Sequence, residues 1–107
     1  MSDGYEGYEN LARILATALA EAAHGKGRRR HADGQPFDGQ PMMAITDMVG
    51  VGFPLGQAMK KAHEAGRFVR QEDWARAKAE ILGGINYLAG ALLAVERLQG
   101  PPAGSGR

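Results

Sequence analysis

Five large aliphatic residues, Ile81, Ile85, Leu88, Leu92 and Val95, recur at alternating steps of four and three near the C-terminal end of this chain. That is a heptad seam, which only a helix can present on one side. A second stripe, Leu82, Ala89 and Leu93, adjoins the seam and widens the apolar face. Ala79, Gly83, Gly90 and Ala94 add a strip of small residues where another helix can come close. A helix over 71–98 with so much apolar surface needs more than one neighbour. Glu72 and Asp73 would sit in its first turn, where carboxylates favour the dipole, and Trp74 would open its core-facing side. The uncharged run 81–95 is 15 residues long, short of the roughly 20 needed to span a bilayer, and reads as a buried helix.

Upstream, Leu11, Ile14, Leu15, Ala18, Leu19 and Ala22 mark one apolar face of a first helix over 5–24, capped by Ser2 or Asp3 and stopped by Gly25. A second helix begins at Pro41, a good first-turn residue, uses Ile45, Met48, Val49, Leu55 and Met59, and ends at Gly66. Pro54 lacks an N–H and would collide with the preceding turn, so a kink or short interruption is expected over 50–54. Gly52 and Gly56 read as points of tight packing. No alternating strand pattern appears. The expected fold is all-α: a three-helix bundle with a kinked second helix, assembling as a homo-oligomer. It forms one domain over 1–98 with a basic loop over 25–40, and a disordered tail over 99–107.

The chain has 107 residues, 44% hydrophobic and 23% charged, with net charge +1. This is one folded domain and no polycation. The charge is uneven, however. Lys26, Arg28, Arg29 and Arg30, followed by His31, sit between glycines directly after the first helix, with no acid among them. Arginine forks match phosphate oxygens, and glycine-flanked N–H groups can add to the cradle. One cation would suffice to complement a helix C-terminus, so phosphate binding is preferred over a merely solvated loop. Contact with RNA or DNA is disfavoured. Lys60, Lys61, Arg67 and Arg70 flank the end of the second helix and could converge on the same anion. Phe37 in the loop, and Tyr5 or Tyr8 at the start of the first helix, could stack on a base. The bland alternatives remain: dipole complementation for the second cation group and a loop anchor for Phe37.

Other chemistries are poorly provided for. Ser2 and Ser105 are the only serines and both are terminal, which leaves no serine nucleophile within a folded site. His24, His31 and His63 lack ligand spacing, cysteine is absent, and no metal or other cofactor is expected. No signal-peptide pattern is visible, so the cytoplasm is the expected location, with no membrane partner.

The stretch "AEILGGINYLAGALL", 79–93, resembles the second metal-site helix of the MazG-type nucleotide pyrophosphohydrolases, whose motif runs approximately E-E-L-G-D-V-x-x-Y-L. Glu80, Leu82, Gly83, Tyr87 and Leu88 match; Ile81 replaces the second glutamate and Gly84 the aspartate. No clear E-x-x-E pair precedes it. The resemblance implies an oligomeric all-α scaffold without the magnesium site. Residues 28–67 resemble small phage-encoded helical proteins, and phages also encode helical "sponges" that sequester cyclic nucleotide immune signals. That analogy assigns no residue. Together these features favour a non-catalytic module that sequesters a phosphate-bearing, nucleotide-derived small molecule. Its residues would be Lys26, Arg28, Arg29, Arg30, His31, Phe37, Tyr8, Lys60 and Lys61. A phage-encoded version would act in the host cytoplasm. A MazG-like nucleoside triphosphate pyrophosphohydrolase and a host-protein-binding helical module remain the alternatives.

Overall fold

The computed structural model describes residues 4–25 and 35–100 and is all-helical. Four α-helices follow one another: α1 (Glu9–His24), α2 (Pro41–Val49), α3 (Gly52–Arg70) and α4 (Trp74–Gln99), with a single 3-10 turn at Phe37–Gly39 before α2. The basic run Lys26–His31 and the tail beyond Gly100 lie outside the described residues.

The expected second helix is two helices. α2 stops at Gly50, whose φ of 99° and ψ of 175° suit glycine alone. α3 starts two residues later. Pro54 therefore falls in the first turn of α3, where its missing N–H has no intrahelical partner to lose. α3 does not stop at Gly66. It runs to Arg70 and ends where Glu72 takes φ 56° and the Asp73 N–H donates back to the Phe68 carbonyl at 2.9 Å. Asp73 then starts α4, its carboxylate accepting from the Arg76 N–H at 3.3 Å. At the other end, α1 starts at Glu9 rather than at Tyr5. Tyr8 is its N-cap and accepts no capping hydrogen bond through its side chain, while the Glu9 carboxylate accepts from the Gly7 N–H.

α3 and α4 form an antiparallel hairpin, and its contact is made by small residues. Ala58 and Ala65 on α3, and Ala77, Gly84, Ala91 and Ala94 on α4, are buried. The Ala58 carbonyl lies 3.8 Å from the point a Gly84 Cβ would occupy. α2 lies against both helices near the end of α4, where Met42 and Met43 fill the space left by Gly90. α1 packs on α4, and the Asn86 amide donates to the Ala18 carbonyl at 3.0 Å. Of the small strip read from the sequence, Gly83, Gly90 and Ala94 lie at contacts within one chain, joined by Ala77, Gly84 and Ala91, whereas Ala79 is exposed. The large seam does not lie there: Ile81, Leu88, Leu92 and Val95 are all about half exposed. Trp74, expected in the core, is 55% exposed at the mouth of α4. Gly52 and Gly56 meet nothing within 4 Å, so they are not points of tight packing within this chain.

The α2–α3 break gives a direct test. Gly50→Ala should destabilise the fold by about 1–3 kcal/mol, because a Cβ is strained at this φ and ψ. Gly52→Ala, in open space on helical backbone, should be neutral or slightly stabilising. Thermal unfolding followed by circular dichroism checks the contrast; equal melting temperatures would show that the break does not require glycine.

Candidate ligand groove

One side of the α3–α4 hairpin carries a groove lined by apolar and charged side chains, and its floor is built on a missing side chain. A Cβ at Gly83 would lie 2.9 Å from Lys61 Cδ and 3.0 Å from Cε. Glycine there lets the lysine stem cross α4 closely. Lys61 Nζ reaches Glu80 Oε2 at 3.3 Å and stands 6.0 Å from the centre of the Tyr87 ring. Arg76, Glu80, Gly83 and Tyr87 are spaced by four, three and four, so they share one face of α4. Phe53 of α3 supports Tyr87 edge to face, with centroids 6.3 Å apart. Burial raises the Tyr87 hydroxyl above the ordinary phenol range. Near the turn, the guanidinium groups of Arg67 and Arg76 lie 4.5 and 5.8 Å from the buried Phe68 ring, placements that suit cation–π attraction.

The walls come from the other elements. Asn86 ties α1 to α4, which sets Glu21 and Ala22 on one rim. Phe37, in the 3-10 turn, also lines the groove. That turn is held by Arg97 near the end of α4, which donates to the Asp38 carbonyl at 2.8 Å and pairs with Asp47 of α2 at 3.3 Å. The volume of the groove is about 370 Å³, within the range of small-molecule sites. An apolar trough of about 650 Å³, with Leu15, Leu19, Ile85 and Ala89, continues from it past Phe37 and Asn86.

Of the residues chosen from sequence, Phe37 and Lys61 meet in this groove. Lys60 is exposed on α3 and does not line it. Tyr8 caps the far end of α1, about 20 Å along the helix from Glu21. Lys26, Arg28, Arg29, Arg30 and His31 lie outside the described residues. Their neighbours in sequence bracket the groove, however: Glu21 and Ala22 before them and Phe37 after them line it. Of the second cation group, Arg67 is paired with Glu64 at 3.1 Å, which holds that carboxyl below its usual range.

Sequence reading missed Arg76, Asn86, Tyr87 and Arg97 as groove builders, and Glu80 as the partner of Lys61. The ion pair joins residues 19 apart on different helices, which no local spacing announces. The usable signal was the stripe Glu80, Gly83, Tyr87. A glycine between a carboxylate and an aromatic on one helix face marks where a neighbouring chain can cross. Among the described residues no three of His, Asp and Glu are grouped to hold a metal ion.

Tyr87 offers a spectroscopic check. Its phenol ionises above the usual value near pH 10. The neutral form is therefore favoured in the folded state. Its contribution to stability is whole below the unfolded pKa and is lost as pH rises through the folded one. Tyrosinate absorbance should show a late component above pH 10 that disappears in Tyr87→Phe. If the variant instead loses amplitude only in the ordinary range near pH 10, Tyr87 is in solvent.

A scan of protein-family models finds no match to this chain, and neither curated proteins nor solved structures match it.

Proposed function

We propose that the protein captures a phosphate-bearing nucleotide signal without hydrolysing it. The observation that carries this reading is the makeup of the groove. Two aromatic faces, Phe37 and Tyr87, and two cations, Lys61 and Arg76, surround a space of nucleotide-ligand size. The basic run Lys26, Arg28, Arg29, Arg30 and His31 follows α1 directly in sequence. Aromatic faces accept a base by stacking, and guanidinium and ammonium groups accept phosphate. In this reading Lys61 exchanges Glu80 for a phosphate oxygen, and the arginine run supplies further phosphate contacts. Tyr8 and Lys60 join only from another copy of the chain. The wider proposal is a homo-oligomeric three-helix-type bundle, phage-encoded and acting in the host cytoplasm as a sponge for a cyclic nucleotide immune signal.

A second reading draws on one observation: Glu21 and Glu80, from two helices, both line the groove. Paired carboxylates facing one cleft are what a MazG-like pyrophosphohydrolase would use to hold magnesium. Lys61 already neutralises Glu80, which favours the binding reading.

Calorimetric titration with cyclic di- and trinucleotides and cyclic ADP-ribose isomers separates the two. Charge-assisted hydrogen bonds contribute about 1.5–3 kcal/mol each. Lys61→Ala, and the triple alanine variant at Arg28, Arg29 and Arg30, should each weaken binding by about tenfold or more. Equal affinity in the triple variant would remove the arginine run from the site. Magnesium-dependent release of pyrophosphate from nucleoside triphosphates, abolished by Glu80→Gln, would establish the enzyme instead.

A further inference from the structure

The side of the hairpin opposite the groove carries large apolar side chains and no described element. The closest approach of α3 and α4, Ala58 at Gly84 and Lys61 at Gly83, sets their register. Leu55 is then level with Leu88, and Met59 falls level with Gly84, between Ile81 and Leu88. Leu55, Met59, Ile81 and Leu88, with Leu92 and Val95, are between 40% and 72% exposed. They present on the order of 600 Å² of apolar surface, at the upper limit for the largest patch of a typical monomer. It is also most of the ~800 Å² per partner of a standard interface. The interior, by contrast, is built mainly of alanine, and among the described residues only Met43 and Pro54 are large side chains buried almost completely. The residues able to contribute most to stability lie outside it.

We propose that this face docks a second copy of the chain, back to back, about a two-fold axis at Leu88, with the two α4 helices antiparallel. Two features select that arrangement. Ile81, Leu88 and Val95 are spaced by seven on either side of Leu88, so an antiparallel partner sets Ile81 against Val95 and Leu88 against itself. Lys78 and Glu96 edge the same face at nearly equal distances from Leu88, both exposed and neither ion-paired among the described residues. Antiparallel pairing brings each Lys78 to a Glu96, whereas parallel pairing would set like charges together. Leu55 and Met59 then cover the flanks, giving a four-helix centre with both grooves facing outward. The proposal does not depend on the nucleotide reading.

Light scattering and sedimentation test it without any ligand. Wild type should have twice the 11.4 kDa chain mass at micromolar concentration. Leu88→Lys should give the single-chain mass while keeping its helical circular dichroism. Leu19→Lys, on the exposed side of α1, should stay dimeric. If Leu88→Lys fails to fold, surface charge reversal decides. At low salt Lys78→Glu should weaken association by about tenfold, and the pair Lys78→Glu with Glu96→Lys should return it to within about threefold of wild type. A monomeric wild type would overturn the proposal, as would a dimeric Leu88→Lys or an exchange of charges that rescues nothing. α4 is also long and apolar enough, by length and composition, to cross a membrane. Flotation of a monomeric wild type with phosphatidylcholine–phosphatidylglycerol vesicles would assign the face to lipid instead.

Discussion

The close approach of α3 and α4 through alanine and glycine governs the rest of this molecule. Helices packed through small side chains lie near the short end of the ordinary 8–10 Å interaxial range. At that separation Lys61 can cross α4 only over Gly83, and its ammonium reaches Glu80. The same small stripe leaves little apolar burial to hold the hairpin together. A fully buried leucine contributes about 1.5–3 kcal/mol, and the leucines of α4 face elsewhere. Small residues inside and large residues outside are two sides of one sequence choice.

Much of this was legible beforehand, and the reason differs by element. Helix type and approximate position follow from periodicity, which is local. The interruption near Pro54 follows from a covalent fact, its absent N–H. The run of α3 past Gly66 was not legible, because a glycine inside a helix is only a modest penalty and the stop lies in the turn at Glu72. The inverted use of the two stripes on α4 was also hidden. Both the small strip and the large seam can bind a helix, and the spacing alone does not say which neighbour is in the same chain.

The groove was partly legible for a similar reason. Phe37 and Lys61 stood out by composition and position, and they do meet. Their meeting depends on Asn86 reaching Ala18 and on Arg97 reaching Asp38, contacts that span 68 and 59 residues. Neither partner is marked by its own neighbours in the chain. Residues that set a wall at such distance look like ordinary surface polar groups until the elements are assembled.

The Arg97 bridge has a consequence of its own. It fixes the Phe37 turn through groups that remain partly open to water, with 40% of the Arg97 side chain and 60% of the Asp47 side chain exposed. Attraction between exposed charges weakens as electrolyte is added. The floor of the groove rests instead on helix packing and on a more sheltered ion pair. One wall of the groove is therefore tuned by ionic strength more than its floor, so the width of the opening is partly a property of the medium.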